Sequence, residues 1–226
     1  MDTETIYLIV LAIVTCWLIS YWVLDNHWFY RALICVIHTL LFKKKINILD
    51  ETHYYGICWT TDIDIWVFHM NNTKYFRELD FARTDFLVRT RIFQHVRKKK
   101  GLVVVGSTYI RYRRFIKVFQ IFKISTRIVY WDKNSIYFEH RFITVKDQFV
   151  CAIAYVKQRI TNFDVEEMMK QFVDKNVVMN ENGNTVVDKL PIPAEIQKMI
   201  DLDEESSAKL KSENLPQVVL QTVETT

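Results

Sequence analysis

Three short breaks in the second half of this chain constrain its fold more than any other feature. They fall at Arg113–Arg114, Asp132–Asn134 and Lys146–Gln148. A parallel connection needs a dozen residues or more, so breaks of this length predict antiparallel hairpins. The segments that flank them are rich in aromatic and β-branched residues. We predict strands over Leu102–Tyr112, Phe115–Val129, Ser135–Thr144 and Phe149–Ile160.

One helix is predicted before these strands. An earlier strand is expected at Tyr54–Thr60, and the helix follows over Thr73–Arg91. Its apolar stripe recurs at spacings of four, three and four residues, at Tyr75, Leu79, Ala82 and Phe86. Long antiparallel strands after one early helix predict an α+β fold of the hot-dog type, in which the sheet wraps around a central helix. A β-sandwich would need more strands and no central helix.

The composition excludes several classes of function. With four glycines among 226 residues, the chain has no G-x-G-x-x-G or Walker-type phosphate loop. The net charge of +4 comes from local clusters, not from a stripe of basic and aromatic residues, so we expect no nucleic-acid partner. The four cysteines include no C-x-x-C pair, and the histidines lack ligand-like spacing. We therefore predict no metal and no cofactor.

Near the N-terminus, Ile6–Leu24 is a run of nineteen residues without a charge. As a helix rising 1.5 Å per residue, it would span a hydrocarbon core of roughly 30 Å. A cleaved signal peptide is the alternative, and it would make the protein secreted. Because Asp2 and Glu4 stand where a signal peptide has basic residues, and no A-x-A-like site closes the run, we favour a transmembrane anchor.

A second apolar stretch, Phe29–Phe42, is short for a membrane span. It contains Arg31 and His38, and we predict an interfacial helix, with a helical hairpin with the first segment as the alternative. Lys43–Lys45 follows at once, and by the positive-inside tendency it favours a cytosolic face for the rest of the chain. We expect the protein to lie in an endoplasmic-reticulum membrane and to contact membrane lipid.

The chain is predicted to have four parts. Residues 1–45 form the membrane anchor and residues 46–163 the hot-dog domain. Residues 164–200 form a C-terminal extension, in which a helix is expected at Ala194–Ile200. Residues 201–226 carry charges, serines and few aromatics, a composition that is typical of a disordered tail.

The most specific pattern lies where the predicted helix begins. Over Asp62–Arg83 the chain reads D-I-D-I-W-V-F-H-M-N-N-T-K-Y-F-R-E-L-D-F-A-R. This segment resembles the signature D-x-D-x-x-G-H-x-N-N-x-x-Y of the hot-dog thioesterases of the 4-hydroxybenzoyl-CoA-thioesterase-like superfamily. Downstream, Arg111–Arg114, Thr126–Asp132 and Glu139–Phe142 look like the subfamily called thioesterase superfamily member six. The resemblance covers about residues 54–162.

The resemblance implies a site for thioester hydrolysis. This reaction needs an attacking water or carboxylate and a group that holds the developing oxyanion. Asp64 matches the family's catalytic acid, as nucleophile or general base, and His69 would position the thioester or the water. Asn72 would belong to the catalytic helix start, whose N–H groups and dipole hold the oxyanion. The substrate-binding residues would include Asp62, Asn71 and Thr73.

Arg114 is a further candidate for substrate binding. It ends a predicted strand next to other basic residues. A solvated charge is the plain interpretation, and contact with the phosphates of coenzyme A is the functional one.

Two departures from the signature affect the loop. Phe68 stands where the family has glycine, and the step from Asp64 to His69 is five residues where the common pattern has four. Because catalysis is sensitive to displacements of about 1 Å, this insertion could weaken or abolish the site. Asp64 and His69 therefore keep structural interpretations as well, as a turn-capping acid and a packed histidine.

Two functions remain open from the sequence. The first is a membrane-anchored hydrolase of acyl-CoA or another acyl thioester in lipid metabolism. The second is a catalytically inactive hot-dog module that binds acyl chains or partner proteins. The family also implies a homodimer, because hot-dog domains usually pair edge to edge.

Overall fold

The computed structural model describes residues 2–23, 25–64, 66, 68–162, 164–174 and 190–223. The chain divides into two compact units, Met1–Lys44 and Lys45–Thr226. The first unit consists of helices α1 (Thr3–Val23) and α2 (Asn26–Phe42). Within α1, Thr3–Tyr21 is the one described segment that is long and apolar enough to cross a membrane, and none of it is buried. Membrane anchoring itself stays a prediction.

The second unit is built on a five-stranded antiparallel sheet. Its strands are β1 (Thr52–Ile57), β2 (Val103–Tyr112), β3 (Ile121–Trp131), β4 (Ser135–Thr144) and β5 (Val150–Ile160). They lie in the order β1-β3-β4-β5-β2. The antiparallel hairpins predicted from the two later breaks are confirmed, since β3 pairs with β4 and β4 pairs with β5.

The hairpin predicted at Arg113–Arg114 is wrong. β2 pairs with β5 at one edge of the sheet, whereas β3 lies between β1 and β4. The strand predicted from Phe115 begins only at Ile121, so residues 113–120 form a connection that crosses from one part of the sheet to another.

The connection leaves the sheet because its backbone bonds to other segments. The carbonyl of Ile116 accepts a hydrogen bond from the N–H of Met70 at 2.8 Å. The N–H of Phe119, which has a φ of 59°, donates to the carbonyl of Cys58 at 2.6 Å. These bonds tie the connection to the segment that precedes the central helix.

Helix α3 (Asn72–Arg89) is the predicted central helix, and it packs against one face of the sheet. Phe86 meets Phe138 of β4 edge to face, with ring centroids 5.4 Å apart, and Tyr75 meets Phe142 at 4.8 Å. The predicted stripe of Tyr75, Leu79, Ala82 and Phe86 is at most 2% exposed. The α+β hot-dog fold class is confirmed.

Three more helices complete the second unit: α4 (Ile92–Lys98), α5 (Val165–Asp174) and α6 (Ala194–Val223). The sequence analysis did not predict α4, which follows α3 after Arg91 adopts a left-handed φ of 64°.

Residues 201–223 are helical, although their composition predicted disorder. The start of α6 is held on the outer face of the sheet, where Ile196 and Met199 pack with Tyr137 and Tyr155. The Nζ of Lys157 also lies 3.0 Å from a carboxylate oxygen of Asp203. Residues 175–189 of the predicted extension and residues 224–226 of the predicted tail lie outside the described residues.

Candidate active site

A short antiparallel ladder joins the end of β1 to the start of α3. The N–H of Asp64 donates to the carbonyl of His69 at 2.8 Å, and the N–H of Asn71 donates to the carbonyl of Asp62 at 2.8 Å. Ile63 and Met70 pair between them. Because directly opposite residues of an antiparallel pair share a face, the side chains of Asp64 and His69 project to the same side. The ladder therefore links the main chains of the predicted acid and the predicted histidine.

Asp64 has one tethered and one open carboxylate oxygen. Its Oδ1 accepts a hydrogen bond from the N–H of Trp66 at 3.3 Å. Among the residues that the structure describes, no donor is found for its Oδ2. The N–H of Phe68 donates to the main-chain carbonyl of Asp64 at 3.1 Å and closes the loop. An open carboxylate oxygen can accept a proton from water or attack a carbonyl carbon.

The imidazole of His69 is held by two contacts. Its Nδ1 lies 3.0 Å from the carbonyl oxygen of Met70. Because a carbonyl only accepts, this bond places the hydrogen on Nδ1 and leaves Nε2 as the acceptor of a neutral ring. The ring also stacks on Phe115, with centroids 4.1 Å apart and planes 5° from parallel. His69 is thereby oriented to accept a hydrogen bond through Nε2.

The first turn of α3 is capped by Asn71. Its Oδ1 accepts from the N–H of Thr73 at 2.9 Å and from the hydroxyl of Thr73 at 2.7 Å, while its carbonyl accepts from the N–H of Lys74. The side-chain oxygen of Asn71 and the hydroxyl of Thr73, two residues predicted to bind substrate, therefore take part in the cap. For the N–H of Asn72, no acceptor is found within the described ranges. Asn72 thus offers its main-chain N–H at the positive end of the helix dipole.

Asp62 is placed inside the protein rather than in the open part of the loop. It is 1% exposed, and its Oδ2 accepts from the N–H of Trp59 at 3.0 Å. Its Oδ1 lies 3.5 Å from the Nζ of Lys74 in the first turn of α3. These contacts join the loop to the helix, and the substrate-binding role of Asp62 stays a prediction.

Cys58 lies nearby but is poorly suited to be a nucleophile. It is fully buried, and burial raises the pKa of its thiol to about 12, with smaller contributions from the negative charges of Asp62 and Glu78. Since the thiolate is the reactive form, Cys58 stays protonated and inert near neutral pH.

Arg114 is engaged within the protein. Its Nη1 lies 2.7 Å from a carboxylate oxygen of Asp147, and its Nη2 donates to the hydroxyl of Thr144 at 2.7 Å. The guanidinium also lies over the ring of Phe149, 4.0 Å from its centroid. An arginine that is paired in this way offers less to a phosphate than the free charge that the sequence suggested.

The sequence analysis missed Phe115 and Ile116 as parts of the site. They position His69 and Met70 from a distance of about 46 residues along the chain. The apolar character of Phe115–Val129 favoured a continuous strand and concealed the turn. The polar residues Lys117 and Gln120 could have indicated this turn. The Oε1 of Gln120 accepts a hydrogen bond from the N–H of Lys117 at 3.0 Å.

Exposed aromatic side chains border the ladder, and we call them the aromatic rim. The exposed fractions are 90% for Trp66, 66% for Phe68, 62% for Phe115 and 61% for Phe119. Exposed apolar side chains beside one loop are typical of a surface that binds a ligand or a partner.

The fold and this geometry agree with a comparison to known families. A model described as thioesterase-like superfamily matches residues 58–200, which is well over half of the chain. The chain belongs to the thioesterase-like superfamily. The match contains the ladder, all of α3 and four of the five strands. The resemblance on which the sequence analysis relied is thereby confirmed.

Several individual proteins are similar to this thioesterase-like protein. Protein THEM6 of Drosophila melanogaster is 38% identical over 196 residues, which cover 87% of this chain and 96% of the relative. The probable thioesterase YBR096W of Saccharomyces cerevisiae is 28% identical over 156 residues, or 61% of this chain and 66% of that protein. The crystal structure of YbaW, a probable thioesterase from Escherichia coli, matches 57% of this chain and 98% of its own at 19% identity, with a TM-score of 0.49.

The departure at Phe68 has a structural counterpart in this thioesterase-like protein. Phe68 stands at the glycine position of the signature and has a φ of 50°. Glycine adopts this left-handed region at little cost, whereas a residue with a Cβ does not. The loop therefore has a glycine-like backbone with a bulky exposed side chain.

Proposed function

We propose that this protein hydrolyses acyl thioesters, with acyl-CoA as the substrate class, at the Asp64–His69 ladder. The observation that carries the proposal is the main-chain hydrogen bond from Asp64 to His69 across the ladder. Asp64 contributes an open carboxylate oxygen and His69 an oriented imidazole, and both residues come shortly before the start of α3 in the chain. Membership of the thioesterase-like superfamily supports a thioester as the bond that is hydrolysed.

Each group has a role in this reaction. Asp64 accepts a proton from a water whose oxygen bonds to the thioester carbon, or attacks that carbon itself. The carbonyl oxygen then takes a negative charge, which the N–H of Asn72 and the helix dipole stabilise. When the C–S bond breaks, the sulfur leaves with the electron pair and takes up the proton that Asp64 accepted, which gives the thiol and the carboxylic acid. Where Asp64 itself attacks, the sulfur takes its proton from water, and a second water hydrolyses the Asp64–acyl anhydride to release the acid. Nε2 of His69 accepts a hydrogen bond that orients the water.

A catalytically inactive, acyl-binding module is the second candidate. The extra residue between Asp64 and His69 favours it, because a shift of the carboxylate lowers the rate steeply. The aromatic rim also favours it, since aromatic side chains offer apolar area to an acyl chain.

One assay separates the two functions. The full chain in mild detergent is mixed with saturated acyl-CoAs of increasing length, and released thiol is followed together with direct binding. We expect thiol release above the uncatalysed rate for at least one chain length. Binding without any release would support the inactive module, and the absence of both binding and release would reject both candidates.

We also propose that α1 anchors the protein in an endoplasmic-reticulum membrane, with the second unit on the cytosolic side. The exposed apolar surface of Thr3–Tyr21 supports the anchor, and Lys43–Lys45 supports the orientation. A membrane location would suit an enzyme of lipid metabolism, because long-chain acyl-CoA and its products associate with bilayers.

A homodimer is proposed from the edge of the sheet. β2 is an edge strand of ten residues, and its apolar side chains Val104, Val105 and Tyr109 are exposed. A long edge with exposed apolar side chains is open to pairing with another strand. Light scattering of the purified full chain should therefore give the mass of two chains after correction for detergent, and the mass of one chain would reject the dimer.

A further inference from the structure

A basic cavity lies at the opposite end of α3 from the candidate active site. Its volume is about 630 Å³, and its walls come from the segment Lys45–Asp50, from Thr90–Lys98 and from Phe172 of α5. α3 has 18 residues, so roughly 27 Å separates its ends at 1.5 Å per residue. The cavity is therefore distinct from the ladder that carries Asp64 and His69.

Cationic side chains dominate the lining. Lys45, Arg91 and Lys98 all line the cavity, and His95 adds an imidazole. Within the described part of the chain, none of the three cations forms an ion pair. Among the described lining residues Asp50 is the one acid, and its carboxylate accepts a hydrogen bond from the N–H of Asn47 at 2.9 Å. The charges that face the cavity are thus positive and largely uncompensated.

The backbone of the walls is attached to buried parts of the domain. The N–H of Ile46 donates to the carbonyl of Arg89 at 3.4 Å, which ties the segment before β1 to the end of α3. The hydroxyl of Thr90 donates to the carbonyl of Phe86 at 2.9 Å. On the inner side of α4, Ile92 and Val96 are at most 1% exposed. These contacts therefore fix the backbone that carries the cations.

We propose that this cavity binds the phosphate group of an anionic ligand, and that the ligand is the headgroup of a membrane phospholipid. Lysine and arginine that lack a carboxylate partner are suited to phosphate oxygens. The volume lies within the range of small-molecule sites, about 300–1,000 Å³, and exceeds what phosphate alone would fill.

The sequence position of Lys45 favours a lipid as the source of the phosphate. Lys45 is the third residue after Phe42, the last residue of α2, and three residues span at most about 11 Å. A soluble phosphate ester, such as the nucleotide part of coenzyme A, has the same chemistry and is the competing source. This inference rests on the proposed membrane location of the protein, and it does not require the ladder to be catalytic.

The test uses the full chain in an uncharged detergent and compares two double variants. Arg91→Asn/Lys98→Gln removes two cations from the cavity. Arg97→Gln/Lys100→Asn removes two cations that do not line it. The variants are matched, because Arg91 and Lys100 have similar left-handed φ values of 64° and 57°, a conformation that asparagine tolerates. Circular dichroism and thermal unfolding confirm that both remain folded.

Binding of dioctanoyl phosphatidic acid, inorganic phosphate and adenosine diphosphate is measured by calorimetry. We expect the lipid to bind the wild type and the control alike, and to bind the cavity variant at least about tenfold more weakly, since charged hydrogen bonds are lost. Equal lipid binding by all three proteins, or no binding to the wild type, would overturn the site. Binding of phosphate or the nucleotide as tightly as the lipid would overturn the assignment to a headgroup.

Discussion

Phe68 has a backbone conformation that its side chain does not favour. With a φ of 50° it stands where the family signature has glycine, and its ring is 66% exposed. The exposed ring contributes little burial, so the conformation of the loop is set by its hydrogen bonds, including the bond from the N–H of Phe68 to the carbonyl of Asp64.

Replacements of Phe68 test this view. We expect Phe68→Gly to be more stable than Phe68→Ala by about 1 kcal/mol, because only the alanine has a Cβ that is strained at positive φ. The free energy of unfolding of the two variants is compared by urea titration of the full chain in mild detergent. An alanine variant as stable as the glycine variant would show that the left-handed conformation is absent.

His140 is buried without a partner for one of its nitrogens. It is fully buried, its Nδ1 lies 2.9 Å from the hydroxyl oxygen of Thr126, and no hydrogen-bond partner is found for Nε2 among the described residues. Burial, and then the positive charge of Arg83, hold the pKa of His140 well below its ordinary value. The native protein therefore keeps this imidazole neutral.

The neutral histidine makes stability depend on pH. Below about pH 6.5 the unfolded chain takes up a proton at His140 that the native state does not, so the free energy of unfolding falls as the pH falls. Relative to His140→Gln, the wild type should lose about 1–2 kcal/mol between pH 7 and pH 5. Urea titrations at both values measure this difference, and parallel pH profiles of the two proteins would contradict it.

At the scale of elements, α6 covers the outer face of the sheet with only a few side chains. Ile196 is fully buried against the sheet, whereas Leu202 on the same helix is 65% exposed. We expect Ile196→Ala to lower the free energy of unfolding by about 2–4 kcal/mol, and Leu202→Ala to change it by less than about 0.5 kcal/mol. Similar losses in the two variants would mean that α6 does not pack in this way.

The sequence alone predicted the elements that are determined by patterns over a few neighbouring residues. The stripe on α3 and the short breaks around β4 predicted the helix, two hairpins and the fold class, because helical spacing and chain length act over few residues. The inference of a hairpin from a short break was wrong at residues 113–120. Their path depends on hydrogen bonds to Met70 and Cys58, which are distant in the chain.

The candidate site also combines features that a local pattern predicts with features that depend on distant contacts. The ladder and the cap at Asn71 lie within a short motif that the sequence displays directly. The stacking of His69 on Phe115 and the burial of Asp62 depend on tertiary packing. No local pattern encodes such contacts, so the burial of Asp62 and the ion pair of Arg114 could not be predicted from the sequence alone.

At the scale of the whole molecule, we propose that the first unit anchors the chain in a membrane and that the second unit hydrolyses thioesters at the N-terminal end of α3. The orientation can be tested with the full chain in sealed microsomes. Because Lys43–Lys45 favours the cytosolic side, added protease should digest the second unit without detergent. Protection of that unit until detergent is added would reverse the proposed orientation.

The central claim is that Asp64 carries out thioester hydrolysis, and the most direct measurement is the turnover of the Asp64→Asn variant. The asparagine oxygen can still accept from the N–H of Trp66, so the loop is retained while the base is lost. Asp164→Asn is the matched control, since asparagine also keeps the hydrogen bond from the N–H of Glu167. We expect kcat for the best acyl-CoA to fall at least about 100-fold in Asp64→Asn and to stay unchanged in Asp164→Asn. Wild-type turnover in Asp64→Asn would contradict the assignment of the acid.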